Sequence, residues 1–153
     1  MKSRKHSLLL FVMFVFSLMQ GCPRPWQVLL YNNSAETLSV YLKNGERTKW
    51  EKDTLLRIGD GCEISWDKLS WVYDQDTNGK TPTLVISNGS RVFTYFLLHT
   101  KIPLGYEYMD MESKIAYRMQ LEKNYTLYVL KAGTSFPAKK TSDGWLGIPV
   151  ISK

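Results

Sequence analysis

Few residues of the chain have the types and spacing that metal binding requires. The clearest candidate is the run DQDTNG beginning at Asp74, where oxygen-bearing side chains at alternate positions precede a glycine. This is the first half of a calcium-binding loop. The second half is missing, because Val85 stands where the loop needs a bidentate glutamate. Asp74, Asp76 and Asn78 are therefore weak metal candidates, and the pattern favours a polar hairpin tip between two strands.

The residues available for nucleophilic catalysis are equally sparse. Beyond Cys22 the chain has one cysteine, Cys62, and one histidine, His99. A cysteine or serine nucleophile would need His99 as its base, and no serine lies in a Gly-x-Ser-x-Gly elbow. One histidine and one cysteine cannot supply a usual zinc ligand set. We expect a protein that is not an enzyme and that carries no cofactor.

Aromatic residues are the remaining chemical signal, at 13% of the chain. Tyr106 and Tyr108 lie in the run 103–109, which lacks the alternation of its neighbours and is predicted to be a loop that presents them. Trp145 opens the segment 145–148, which is too apolar for a free tail and is predicted to pack back as a last strand or to dock a partner. These three residues are candidates for partner binding. The alternatives are ordinary packing within a β-protein, or a stacking platform for sugars. That platform would consist of Tyr106, Tyr108, Trp50, Trp66 and Trp71.

The elements that must position these residues are short strands. Apolar residues recur with a period close to two from Gln27 onward, and the Asn-Gly pairs at Asn44 and Asn88 are typical of hairpin turns. No long amphipathic helix is evident. The pattern predicts an all-β domain, an antiparallel β-sandwich or alternatively a small β-barrel. The predicted strands are 28–31, 38–42, 47–50 (or a helical turn), 55–58, 62–66, 69–73, 83–87, 91–98, 115–121 and 125–130.

The first residues have a different composition. Lys2, Arg4 and Lys5 precede an apolar run from Leu8 to Met19 that only Ser17 interrupts. A transmembrane helix needs about 20 apolar residues, so this run is too short to span a bilayer and has the length of a secretory signal core. Residues 1–21 are therefore predicted to be a cleaved signal peptide.

The run Leu18-Met19-Gln20-Gly21-Cys22 resembles the lipobox of bacterial lipoproteins. Gly21 matches the small residue before the cleavage site and Cys22 matches the cysteine that takes the lipid, whereas Met19 and Gln20 depart from the commonest pattern. The resemblance implies fatty acyl chains, palmitate among them, on Cys22 and a stable membrane anchor. The alternative is an ordinary secreted protein with a free Cys22 thiol.

Removal of residues 1–21 would leave 132 of the 153 residues, enough for one domain. These retain 17 basic and 14 acidic side chains, a net charge of +3 against +6 for the whole chain. No basic run indicates nucleic-acid binding. Residues 22–26 are predicted to be the lipidated cysteine and a proline-containing spacer, and residues 27–153 a single β-rich domain with an irregular C-terminal tail.

Three functions are compatible with this organisation. The favoured one is a non-enzymatic lipoprotein of the periplasm that binds a protein partner, one version being an immunity-type inhibitor of a delivered toxin. The second is a glycan- or peptidoglycan-binding lipoprotein, and the third, an enzyme, is least supported. Pro23 follows Cys22 where an aspartate would retain a lipoprotein at the inner membrane of enteric bacteria. By that resemblance, the protein is expected at the outer membrane, facing the periplasm.

Overall fold

The computed structural model describes residues 27–75, 78–98, 102–109 and 115–152, without the side chains of residues 107–109 and 115. These residues include eleven strands and one 3-10 turn, Trp66–Lys68. The strands are β1 (Gln27–Asn32), β2 (Leu38–Tyr41), β3 (Arg47–Trp50), β4 (Leu55–Gly59), β5 (Ser70–Asp74), β6 (Gly79–Ser87), β7 (Val92–Phe96), β8 (Glu107–Met109), β9 (Ile115–Leu121), β10 (Leu127–Val129) and β11 (Ile148–Pro149).

The first sheet, sheet A, has the order β11-β10-β9-β1-β4. Its central pair is β1 and β9, which run parallel with Gln27 opposite Ala116 and Asn32 opposite Leu121. The other pairs are antiparallel. Strand β8 pairs with the first half of β9, and β10 with the second half. β1 is therefore hydrogen-bonded along both edges.

The second sheet, sheet B, is antiparallel and has the order β3-β2-β6-β5, with β7 on β6. The long strand β6 pairs with β5 along its first half and with β2 along its second half. Residues Thr83 to Ser87 pair with β7 on the opposite edge. This sheet therefore has two short strands in line along one edge of β6.

The core lies between the two sheets. Strand β1 alternates as the period of two requires, with Val28 and Leu30 fully buried. Trp50, Leu84 and Met119 fill the space between the sheets, and none of them is more than 1% exposed. The predicted antiparallel β-sandwich is confirmed, and the described residues form no closed barrel.

At one side of the sandwich, which we call the polar crossing, the chain passes between the sheets through residues 33–37 and 51–54. Asn32 lies at its centre and is 0% exposed. Its side-chain nitrogen donates to the carbonyl oxygens of Glu36 at 3.1 Å and Trp50 at 3.0 Å. Its side-chain oxygen accepts from the backbone and hydroxyl of Ser34, at 3.0 and 2.5 Å. One buried amide thus ties together both chain passages.

At the other side, which we call the apolar crossing, residues 102–106 lead from sheet B to sheet A and residues 148–152 lead back. Val150 donates its backbone N–H to Leu127 in sheet A at 2.7 Å. The next residue, Ile151, accepts from the N–H of Phe96 in sheet B at 3.1 Å, and Ser152 bridges Tyr95. The C-terminal strand therefore joins the edges of both sheets.

Before it reaches this crossing, the segment 131–147 covers the outer face of sheet A. Gln120 points outward from β9 yet is 0% exposed, because its amide accepts from Ala138 N–H at 2.7 Å and donates to Ala138 oxygen at 3.0 Å. Phe136 stacks on Tyr31 with ring centroids 5.3 Å apart. Leu130, Ala138 and Leu146 form a second, smaller apolar cluster.

One residue links the sheets at the end of the sandwich. Tyr125, in the turn between β9 and β10, has a φ of 61° and stacks on Phe93 of sheet B at 4.4 Å. Its backbone oxygen accepts from the Tyr95 hydroxyl at 2.6 Å, and its own hydroxyl donates to the carboxylate of Glu36. The left-handed backbone at Tyr125 is thereby held by contacts from strand β7 and from the loop 33–37.

Most predicted strands are present, with two errors. Residues 62–66 do not form a strand: they contain only the bridge of Ile64 to Ile58, and a 3-10 turn begins at Trp66. The run 103–109 is a loop only up to Tyr106, because Glu107–Met109 is strand β8. In both places the pairing partner, rather than the local alternation of apolar residues, decides whether a strand forms.

Candidate functional site

The apolar crossing contains the cavity of interest. It has a volume of about 190 Å³ and lies between the end of β7 (Phe96 and Leu97), Ile102, Val129 and the C-terminal residues 148–151. All of its lining residues are apolar. Both sheets and both chain passages of the crossing contribute to its walls.

Tyr106 and Trp145 meet at this crossing. Their ring centroids lie 6.4 Å apart and their planes are inclined by 76°, an edge-to-face contact. Trp145 remains 41% exposed, and Leu104, two residues before Tyr106, is 90% exposed. We call these three residues the aromatic rim. Two of the three predicted partner-binding residues are thus brought together, although they are far apart in sequence.

A tight turn holds Trp145 in place. The carbonyl oxygen of Trp145 accepts from the N–H of Thr141 at 2.8 Å and from its hydroxyl at 2.9 Å. Leu146 on one side of Trp145 is buried in the smaller cluster. Gly147 on the other side approaches so closely that a Cβ there would lie 2.3 Å from the oxygen of Val129. The backbone at Trp145 is therefore held on both sides, while its ring remains partly exposed.

Tyr108, the third predicted partner-binding residue, lies in strand β8 opposite Ala116. Its side chain lies outside the part of the chain that the structure describes. The backbone pairing corrects the prediction that a loop presents it.

The predicted metal candidates close a hairpin. Asp74 pairs with Gly79 at the end of the β5–β6 ladder, and Asn78 accepts a hydrogen bond from the hydroxyl of Tyr73 at its side-chain oxygen. Asp76 lies outside the described residues. Across the residues that are described, no three His, Cys, Asp or Glu side chains are grouped as a metal ion would need. The geometry matches the hairpin-tip interpretation.

Cys62 is a half-buried free thiol whose sulfur lies 3.7 Å from the side-chain oxygen of Gln27. Burial raises the pKa of the Cys62 thiol, an effect that the Arg57 charge only partly offsets. A nucleophilic cysteine needs the opposite shift. His99, its only sequence-based partner, and Cys22, the predicted lipidation site, lie outside the described residues.

The larger aromatic platform considered from the sequence is dispersed. Trp50 is buried in the core at 1% exposure. Trp66 and Trp71 pack edge-to-face on each other, 6.5 Å apart, beside the β5–β6 hairpin. Of the five aromatics considered for that platform, Tyr106 is the one described at the apolar crossing.

No family model, curated protein or solved structure matches this chain. Among the described residues, no helix has the length and hydropathy needed to cross a membrane.

Sequence reasoning missed the residues that complete the crossing. Leu104 belongs to the run that was singled out for its tyrosines, and its lack of alternation was the available signal. No local sequence pattern distinguishes Ile102 and Ile151, because they line the cavity only where two distant segments of the chain meet. Ile151 is 44% exposed although it also lines the cavity.

Proposed function

We propose that the protein is a non-enzymatic lipoprotein of the bacterial envelope whose domain binds a protein partner at the aromatic rim. The observation that carries the proposal is the Trp145 side chain, 41% exposed and packed edge-on against Tyr106. Exposed tryptophan and tyrosine held by a rigid backbone are typical of residues that dominate binding energies at protein interfaces. The neighbouring Leu104 extends the apolar surface.

The geometry of the pair favours a protein over a glycan. A sugar ring stacks on an exposed aromatic face, and a platform for several sugars needs several such faces side by side. Tyr106 meets Trp145 at 76°, so the two rings do not form one flat surface. Edge-to-face packing instead leaves an irregular apolar surface that complements side chains. An immunity-type inhibitor of a periplasmic toxin is one form that such a binding protein takes.

Substitution of Trp145 tests the partner-binding proposal. The parent chain, recovered from its own membranes, is expected to retain a protein partner. Trp145→Ala should weaken retention by about 2 kcal/mol, roughly 30-fold, as expected for an interface hot spot. Tyr73→Ala is the matched control, because Tyr73 is 60% exposed on the β5–β6 hairpin. Equal retention by all three proteins would refute the site, and selective retention of peptidoglycan fragments would favour the glycan function.

The tether is a separate part of the proposal and rests on the lipobox resemblance at Cys22. With Cys22→Ala, lipid cannot be attached, and the chain should either appear in the soluble fraction or retain residues 1–21. Fractionation and mass spectrometry of the mature N-terminus measure both outcomes. A variant that is still cleaved and still membrane-bound like the parent would show that the tether is wrong.

The proposed location is the outer membrane, with the domain facing the periplasm. It is supported by Pro23, which stands where the inner-membrane retention signal of enteric bacteria has aspartate. Pro23→Asp should move the protein to the inner-membrane fraction on density-gradient separation. An unchanged distribution would remove this support.

A further inference from the structure

Three exposed lysines belong to the segments that carry the aromatic rim. These segments, residues 102–106 and 131–150, contain three basic side chains, Lys131, Lys139 and Lys140, and one acidic side chain, Asp143. All three lysines are exposed. The chain beyond residue 21 is nearly balanced by comparison, with 17 basic and 14 acidic side chains. The described part of the rim therefore has an excess of positive charge.

Backbone hydrogen bonds place Lys139 and Lys140 beside Trp145. Ala138, just before the two lysines, is fixed on the outer face of sheet A by two hydrogen bonds, at 2.7 and 3.0 Å. Thr141, just after them, donates its N–H to the carbonyl oxygen of Trp145 at 2.8 Å. Because Lys140 is covalently bonded to that nitrogen, its backbone lies next to the backbone of Trp145.

Lys131 is held beside Tyr106 in a similar way. Leu130, just before it, donates its N–H to a carbonyl oxygen of β9 at 2.8 Å, and Ala132, just after it, donates to the oxygen of Gly105 at 2.9 Å. Gly105 directly precedes Tyr106 in the chain. Each ring of the aromatic pair therefore has a lysine-bearing segment beside its backbone, and both segments are held on either side of the lysines.

The one carboxylate of these segments is engaged within its own turn. Asp143 accepts a hydrogen bond from the hydroxyl of Thr141, and Gly144 closes the turn by donating its N–H to the oxygen of Thr141 at 2.9 Å. The bond from the Thr141 hydroxyl lowers the pKa of the Asp143 carboxyl, so this group is ionised at neutral pH. The lysines still outnumber it by two.

We infer that the protein partner meets the aromatic rim with an acidic surface, whose Asp or Glu side chains pair with Lys131, Lys139 and Lys140 around an apolar contact on the two rings. The inference rests on the proposed function and names the chemistry by which the partner is recognised. Complementary charges across an interface speed association and suppress partners that present like charge. An apolar centre edged by polar and charged side chains is the usual anatomy of such a surface.

A membrane of anionic lipids would offer the same negative charge. Clusters that bind anionic lipids carry about four to eight Lys or Arg side chains. The segments of the aromatic rim contain three, together with one carboxylate. The charge therefore favours an acidic protein surface over a lipid surface.

Site-specific photo-crosslinking tests the inference with the full-length chain in membranes isolated from the cells that produce it. A benzophenone amino acid at Leu104, which is 90% exposed in the rim, should form an adduct with a protein. The same group at Val92, 61% exposed on β7, should not. When the adduct is mapped by mass spectrometry, the joined peptide should contain Asp or Glu close to the joined residue. High salt should lower the yield, because it screens exposed charges.

Charge reversal provides the second half of the test. Lys131→Glu combined with Lys140→Glu should lower the yield of the Leu104 adduct about tenfold, because attraction becomes repulsion. The same pair changed to Gln should give a smaller reduction. The matched control, Lys52→Glu with Lys123→Glu, reverses two exposed lysines outside these segments and should leave the yield unchanged. Thermal unfolding shows whether each variant is folded. If the first pair is not, Lys140→Glu alone should lower the yield about threefold.

The outcomes separate this inference from the proposed function. A protein adduct at Leu104 that persists after charge reversal and at high salt overturns the acidic surface and leaves partner binding at the rim intact. A lipid adduct at Leu104 overturns it in favour of an anionic membrane surface. If Leu104 yields no adduct, both the inference and the proposed function are wrong.

Discussion

Two of the regions in which the chain passes between the sheets, the polar and the apolar crossing, perform the same topological task with opposite chemistry. At the polar crossing, the buried amide of Asn32 satisfies backbone groups from both passages and is shielded from water. At the apolar crossing, two backbone hydrogen bonds join the segment 148–152 to the two sheets. An edge-on pair of rings and an apolar cavity are the other features of this region. Buried, satisfied polar groups specify a fold, whereas exposed apolar groups are available to a ligand. The comparison therefore associates stability with one side and the proposed binding surface with the other.

The largest loss of stability is expected from a substitution at the polar crossing. Asn32→Ala removes the donor to the buried carbonyl of Trp50 and the acceptor of Ser34, so the free energy of unfolding should fall by about 3 kcal/mol. Urea unfolding followed by tryptophan fluorescence measures it. Asn33→Ala is the matched control, because that side chain makes one partly buried bond, to Glu122, and should cost less than about 1 kcal/mol. Similar losses in both variants would contradict the central role of Asn32.

The second-largest loss of stability is expected where Gln120 holds the segment 131–147, which leads into the apolar crossing. Gln120→Ala leaves both the N–H and the carbonyl of Ala138 without their partner beneath the covering segment. We expect a loss of about 2 kcal/mol in the free energy of unfolding. Hydrogen exchange at the Ala138 amide should also become faster. An Ala138 amide as protected as in the parent would show that Gln120 does not hold the segment.

Alkaline pH probes Tyr95, whose backbone bridges Ser152 and whose hydroxyl donates to the backbone oxygen of Tyr125. Tyr95 is 1% exposed, and burial raises the pKa of its hydroxyl. Above pH ~10, the ordinary tyrosine pKa, the unfolded chain loses this proton while the folded chain keeps it, so stability declines as the pH rises. The decline attributable to Tyr95 is about 1.4 kcal/mol per pH unit. Tyr95→Phe should lack this component when both proteins are unfolded in urea at pH 8, 10 and 11, and identical slopes would contradict it.

The smallest stability effect is expected at the proposed binding residue. Trp145→Ala removes a side chain that is 41% exposed, so the free energy of unfolding should fall by less than about 2 kcal/mol. Partner retention should nevertheless be lost, as proposed above. A loss of stability as large as that of Asn32→Ala would mean that the two crossings do not differ in the way that their chemistry indicates.

Local patterns in the sequence predicted most of the strands, but they did not predict which distant strands pair. The alternation of 115–121 gave the bounds of β9, and the pair Asn88-Gly89 predicted the turn between β6 and β7. The false strand at 62–66 shows that alternation without a partner edge is insufficient. The parallel pairing of β1 with β9 joins distant segments, so no local period could reveal it.

The candidate site was predicted only in part, because its parts come from segments that are distant in the sequence. Tyr106 was singled out because its run lacks alternation, and Trp145 because its segment is too apolar for a free tail. Their contact and the cavity beneath depend on the path of the chain between the sheets. The role of Asn32 was not predicted, since a polar residue at a strand end reads locally as a turn signal.

The central place of β1 in sheet A has a consequence for when the domain can fold. Strand β1 is the first described strand, and its parallel partner β9 comes late in the chain. As the polypeptide emerges from a ribosome or an export channel, one edge of β1 stays without its partner β9 until most of the other strands have emerged. Because this pairing joins distant segments, folding is expected to be slow. A chain that does not yet include β9 cannot complete sheet A. Under the proposed export of the unfolded chain, this delay would keep the first strand from forming a finished sheet before the chain has crossed the membrane.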